Sequence, residues 1–211
     1  EMSRGQLTNR MLCARARVDA GRWRTGRIDA DGDWYRITGA ATALHALPIL
    51  IDDTPAQTMS ALANTARRMR AEHPALGLIV IDYLQLMSSE KGTRDRGEAV
   101  GAISRGLKML AKELGIPIVA LSQLNRNLED RGNKRPMPSD LRESGALEQD
   151  ADVILFIYRD EVYNTDTPDR GIAEIIVAKN RSGATGTVRL FFIAQQTRFA
   201  NLMDPPSEPL C

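Results

Sequence analysis

One alternation constrains the fold of this chain more than any other feature. Leu78-Ile79-Val80-Ile81-Asp82 and Ile116-Pro117-Ile118-Val119-Ala120-Leu121 are continuous apolar runs of strand length. Between them Val100, Ile103, Leu107, Leu110, Ala111 and Leu114 recur at helical spacing, and Gly115 closes the stripe. Apolar runs without polar alternation suit strands covered on both faces, and a helix between two of them implies parallel pairing. The fold class that follows is α/β with a mainly parallel sheet.

The other segments extend this pattern. Ser3 is placed to cap a helix carrying Leu7, Met11, Leu12 and Ala16, with Gly21 and Gly26 as punctuation. Residues 28–47 read as a further helical stretch, weakened by Gly32 and Gly39 and ended by Pro48. Ile49-Leu50-Ile51 before Asp52-Asp53 predicts a short buried strand, and Met59, Leu62, Ala63, Ala66 and Met69 mark one face of a helix over 57–73. Residues 88–97 and 125–141 are polar and read as loops; Val153–Tyr158 reads as another buried strand. Ile172–Ala178 and Thr187–Ile193 have a Gly-rich connection and no helix between them, which predicts a β-hairpin. Residues 204–211, with three prolines, are expected to be a flexible tail after one domain spanning 1–203.

Composition closes several alternatives. Lys+Arg 28 against Asp+Glu 27 gives a net charge of +1, which does not by itself advertise a nucleic-acid partner. No apolar run approaches the roughly 20 residues needed to span a bilayer, and no signal-peptide pattern opens the chain. Cys13 and Cys211 do not form a disulfide framework, so a reducing compartment is expected. His45 and His73 stand apart from each other and from any cysteine cluster, which argues against zinc.

Chemistry in an open α/β sheet belongs beyond the carboxyl ends of the strands. Asp82 closes the first apolar run in the Walker B manner, with a carboxylate placed for Mg²⁺, although Asp at a strand end also simply suits a turn. Gln123 follows the next run; an amide there can donate and accept at once, or merely bond a turn. The following loop carries Arg126, Arg131, Lys134 and Arg135, either a solvated surface or a partner for phosphate. Arg142-Glu143-Ser144-Gly145 reads as a turn and helix start, or as a phosphate contact. Lys179 and Arg181, at i and i+2, point the same way on an extended segment and are either solvated or available to a neighbour's phosphates.

Several ordered blocks go beyond these local patterns. Leu78-Ile-Val-Ile-Asp-Tyr-Leu-Gln-Leu-Met87, Val119-Ala-Leu-Ser-Gln-Leu-Asn-Arg126 and Ser139-Asp-Leu-Arg-Glu-Ser-Gly145 resemble segments of the DnaB family of replicative DNA helicases. Glu148-Gln-Asp-Ala-Asp152, Phe156-Ile-Tyr-Arg-Asp-Glu-Val-Tyr163 and Gly186-Thr-Val-Arg-Leu190 continue the resemblance in order, over about residues 1–201. It implies a RecA-like P-loop NTPase core with a C-terminal antiparallel hairpin, working as a homo-hexameric ring that uses ATP and Mg²⁺ to move along single-stranded DNA and unwind a fork. By motif, Glu1 corresponds to the carboxylate that polarises the attacking water, Asp82 to the Mg²⁺-binding acid and Gln123 to the residue coupling the γ-phosphate to DNA loops. Arg142, Glu143 and Gly145 correspond to the DNA-holding segment of the channel, and Lys179 and Arg181 to cations inserted into the adjacent subunit's ATP site. A primase, a helicase loader and a cytoplasmic location in a bacterial replisome, or its phage equivalent, are implied for the full-length parent.

One departure stands out. A phosphate loop reads G-x-x-x-x-G-K-[ST]. Gly101-Ala-Ile-Ser-Arg-Gly106 is followed by Leu107 and lies within the helical stripe, and Gly132-Asn-Lys134 lacks the spaced upstream glycine. The expectation is an amino-terminally truncated domain with negligible ATP turnover on its own. Two other readings stay open here: a related RecA-like recombinase or clock-type ATPase, and a non-catalytic remnant that binds DNA or joins a ring passively.

Overall fold

The computed structural model describes residues 2–29, 32–88, 96–141 and 145–202. They fall into two compact units, one comprising Thr54–Phe156 with Ile176–Gly186, the other Met2–Asp53, Ile157–Ile175 and the residues from Thr187 on.

In the second unit, helix α1 (Arg4–Ala16) starts where the sequence predicts. Ser3 accepts the Gln6 backbone N–H and Gln6 returns the bond to Ser3, a capping box. A short α2 (Ala20–Arg24) and α3 (Gly32–His45) follow. Ala16, Val18, Ile37 and Ala40 form the core, with Leu12, Trp23 and Ile28 packed on it. A charge is buried beside this core: Asp33, only 2% exposed. Its carboxylate takes Arg36 at 2.6 Å, Arg22 at 2.8 Å and the Asp29 N–H at 3.1 Å. Burial pushes this carboxyl up, but the Asp29 N–H, Arg36 and Arg22 together hold it below its ordinary value.

The first unit is built on β1 (Ile79–Ile81) and β2 (Ile118–Ala120), paired in parallel with Ile79 opposite Ile118 and Ile81 opposite Ala120. Helices α4 (Met59–Glu72) and α5 (Arg96–Leu114) supply the core: Ala63, Ala66, Ile103, Leu107 and Leu110 bury with Ile81 and Leu84. Thr58 caps α4, and Gly115, at φ +66°, ends α5 in a conformation that only glycine adopts cheaply. Next comes α6 (Gly145–Asp150), which packs on α5 where Gly101 leaves room for Ala146.

A second sheet has the order β3 (Val153–Tyr158), β4 (Ile172–Asn180), β5 (Gly186–Ile193) and β6 (Arg198–Asn201). The short connection from β4 to its neighbour β5 can only reverse the chain, so the predicted hairpin forms, its first strand running on to Asn180. Strand β6, which sequence reading missed, pairs antiparallel with β5 after Thr197 turns the chain at φ +47°.

Two expectations are corrected. Ile49–Ile51 is not a strand: no ladder partner adjoins it among the described residues, and Ile49 and Leu50 are about half exposed. The apolar runs are covered on one face, not both. Ile79 and Ile81 face the helices while Leu78, Val80, Val119 and Leu121 are exposed, as are Val153, Leu155 and Ile157 on alternate positions of β3. The loop expected at 88–97 falls mostly on residues outside the described set, as does the tail 204–211.

Replacing Asp33 by Ala strips Arg22 and Arg36 of their shared partner and should destabilise the protein by about 2–3 kcal/mol in urea unfolding. Because the folded-state pKa of Asp33 lies below the unfolded one, its contribution is present above the usual carboxylate range and disappears as pH falls through the folded value. The stability gap between wild type and Asp33→Ala should therefore close below about pH 4.

Candidate functional site

The carboxyl ends of β1 and β2 lie side by side, as a parallel pair requires. Asp82 directly follows β1, and Ser122 and Gln123 follow β2 after Leu121. Both Asp82 and Gln123 are exposed, and the Asp82–Tyr83 peptide is cis. The Leu121 N–H donates to the Ile81 carbonyl at 2.9 Å and the Leu84 N–H to the Leu121 carbonyl at 3.0 Å, so main-chain pairing continues past the strands. Asp82 offers one carboxylate, and no group of three or more metal-ligating side chains occurs among the described residues. That donor set fits a cation held mainly by phosphate and water, as Mg²⁺ is, and does not fit an all-protein cage.

A residue that sequence reading passed over ties these ends together. Gln85, in the 3-10 turn Leu84–Leu86, is only 9% exposed. Its Oε1 accepts the Gln123 backbone N–H at 3.1 Å, and its Nε2 donates to Ser122 Oγ at 3.0 Å. The signal in the sequence is an amide flanked by Leu84 and Leu86 just after an apolar run, where a polar group, once buried, needs specific partners.

Beyond Gln123 the polar segment 125–141 is a closed structure. Leu124 and Leu141 form an antiparallel bridge, and the Asn125 N–H donates to the Asp140 carbonyl at 2.7 Å. The buried Asp140 carboxylate receives both guanidinium arms of Arg131, at 3.1 and 2.7 Å, and the Met137 N–H at 2.9 Å. Arg131 also donates to the Arg135 carbonyl, and Lys134 to the Glu129 carbonyl at 2.6 Å. Arg131 and Lys134, two of the four cations weighed as phosphate ligands, are thus engaged within the loop itself.

The hairpin cations both turn towards the α6–β3 segment. Lys179 Nζ donates to the Glu148 carbonyl at 2.6 Å, in the last turn of α6 where carbonyls lack helical partners. The Arg181 N–H bonds the Asp152 carbonyl at 2.8 Å, and its guanidinium lies 3.3 Å from the Asp152 carboxylate, which also pairs with Lys108. The Lys108 bond first, then Arg181, holds the Asp152 carboxyl below its ordinary value against partial desolvation. With 72% of the Arg181 side chain exposed, its pair with Asp152 is solvent-screened and contributes about 0–1 kcal/mol. Gly145 opens α6 and is exposed; Glu1, Arg142 and Glu143 lie outside the described residues.

Gly101 and Gly106, the nearest sequence approach to a phosphate loop, are interior to α5. A Cβ on Gly101 would meet the Ala146 methyl at 3.2 Å, and one on Gly106 would meet Met59 Cγ at 2.8 Å. These glycines admit close packing, and the helix interior leaves no free N–H for an anion.

The family profile described as DnaB-like helicase C terminal domain matches residues 1–201. The replicative DNA helicase DnaB of Geobacillus stearothermophilus is 49% identical over 203 residues, and that of Buchnera aphidicola (subsp. Acyrthosiphon pisum) 51% over 202. These matches cover 96% and 95% of this chain and 44% of each relative, so the chain spans less than half of their length. Among solved structures, a DnaB-like replicative helicase described with its interactions with primase superposes at TM-score 0.92 and 39% identity, over 96% of this chain and 49% of that one. A second solved structure, described as an ATPase domain, superposes at TM-score 0.91, also at 39% identity, over 96% of this chain and 72% of that one. The α/β ATPase-domain fold implied by the sequence resemblance is therefore the fold of this chain.

Asp140→Ala removes the carboxylate that closes the 125–141 loop. A loss of about 2 kcal/mol of local stability should make tryptic cleavage after Arg131 and Lys134 about 30-fold faster under limiting protease.

Proposed function

The chain belongs to the DnaB-like helicase C-terminal domain family, and from that premise we propose that it is part of the motor of a replicative DNA helicase. In this reading six copies form a ring that couples ATP hydrolysis to movement on single-stranded DNA and to unwinding at the fork. The observation that carries it is the placement of Asp82 and Gln123 at adjacent parallel strand ends in a chain of this family.

The roles follow from charge and position. Asp82 is the acid that holds Mg²⁺ on the nucleotide, and Glu1 polarises the attacking water. What bound Mg²⁺ supplies is neutralisation of phosphate charge. Gln123, able to donate and accept, links the γ-phosphate to the segment that leads through Leu124 and Leu141 towards Arg142. Arg142, Glu143 and Gly145 hold the DNA backbone, a contact that positions the strand without reading its sequence. Lys179 and Arg181 serve the nucleotide of the adjacent subunit. The weak Arg181–Asp152 pair supports this, since a phosphate carries more charge than one carboxylate and displaces it at little cost.

No stretch of the sequence reads G-x-x-x-x-G-K-[ST], so in this reading the phosphate loop comes from chain outside these residues. The exposed apolar face formed by Leu78, Val80, Val119 and Leu121 supports that view, because parallel sheets are ordinarily covered on both faces. These 211 residues by themselves then have negligible turnover. Primase and a loader are partners of the complete protein in this reading, and its place is the cytoplasmic replisome.

Two substitutions in the ring-forming full-length protein test the assignments. Arg181→Ala should abolish DNA-stimulated ATP hydrolysis while nucleotide affinity, followed by a fluorescent analogue, changes by less than about threefold; unchanged turnover removes the finger role. Arg142→Ala should weaken single-strand binding and lower the salt slope of log K by about 1. Equal affinity and equal slope would remove Arg142 from the DNA path.

A further inference from the structure

Through its Oε1, Gln85 acts on the main chain of Gln123. The β1–β2 ladder ends at Ala120, and the Leu121 N–H is the last of that strand to bond the Ile81 carbonyl. From there Gln123 is secured on one side by the Leu124–Leu141 bridge and on the other by the Gln85 carboxamide. The amide has a fixed orientation, because the Gln123 N–H can only donate and so must face Oε1, which turns Nε2 to Ser122. A leucine would fill this buried position without the cost of desolvating an amide, so packing alone does not account for glutamine here. The same short turn follows Asp82, so one side chain spans the chain segments that carry both strand-end polar groups.

We propose that Gln85 is a positioning residue: its carboxamide, bridging Ser122 Oγ and the Gln123 N–H, holds Gln123 at a fixed distance from the Asp82 strand end. The Gln123 side chain stays exposed and unencumbered by this bond, because only its backbone is used. The inference rests on the reading of Gln123 as the residue that couples nucleotide to DNA.

The test uses the full-length ring-forming protein with Gln85→Met, Gln85→Glu, Ser122→Ala and Gln123→Ala. Methionine has the reach of glutamine and neither hydrogen bond. Glutamate still accepts the Gln123 N–H, and the Ser122 hydroxyl can rotate to donate to it. Gln85→Met should lower DNA-stimulated kcat about tenfold or more, as misplacement of a site group does, with nucleotide Kd and KM within about twofold. Ser122→Ala, which removes one bond, should fall between wild type and Gln85→Met, and Gln85→Glu should regain most of the loss. Full DNA-stimulated kcat in Gln85→Met, a glutamate variant no better than methionine, or loss of kcat together with a rise in KM and a fall in Tm would each overturn the proposal. Gln123→Ala keeps the backbone N–H and separates the two levels. If it lowers DNA stimulation while Gln85→Met does not, positioning alone is wrong; if it changes nothing, the coupling role of Gln123 fails and the proposal falls with it.

Discussion

Ile79 opposite Ile118, Val80 opposite Val119 and Ile81 opposite Ala120 set a parallel register in which both strands end on the same side. The segments carrying Asp82 and Gln123 therefore leave adjacent strand ends, and a slip of one residue would turn Ile79, Ile81 and Ile118 away from the helices. Burial enforces the register. Leu84, Ile103, Leu107 and Leu110 bury nearly completely against these strands, and each such side chain is worth about 1.5–3 kcal/mol when taken out of water.

From that junction a series of short-range contacts runs through the first unit. Gln85 bonds Ser122 and Gln123, Leu124 bridges Leu141, and Asp140 locks the intervening segment through Arg131. After Gly145 the helix α6 ends in carbonyls that accept Lys179, and Asp152 receives Arg181 and Lys108. The contacts differ in kind. Gln85 and Asp140, near the strand ends, are buried, whereas the Arg181 pair is solvated and easily exchanged, as its proposed service to a neighbour's phosphate would require. The near-zero net charge is compatible with this arrangement, since cations can be concentrated locally while acids balance them elsewhere.

Much of this was legible in the sequence because periodicity reports burial. The Ser3 cap, the α5 stripe, β3 and the hairpin all fall where spacing and capping chemistry put them. The failures share a cause. Ile49–Ile51 has the composition of a strand but no ladder partner among the described residues, and composition does not supply one. Leu78 and Val80 are as apolar as Ile79 and Ile81, so an apolar run cannot say that only alternate side chains are covered. Segment 125–141 looks like a solvated basic loop until Asp140, nine residues beyond Arg131, is seen to close it. Strand β6 was missed because Arg198–Asn201 is short and carries no apolar pattern of its own; it exists through pairing with Leu190–Ile193.

What the sequence determined by itself is the class of the protein and its chemical inventory: alternating strands and helices, an acid and an amide after successive apolar runs, a cationic hairpin and a family resemblance along 1–201. Tertiary structure alone decided which groups work together. Gln85 lies 38 positions from Gln123, Asp152 lies 29 from Arg181, and Lys179 lies 31 from the carbonyl it caps. Local propensity acts over a few residues, so pairings at such separations are set only when the chain closes its core and brings the strand ends into register.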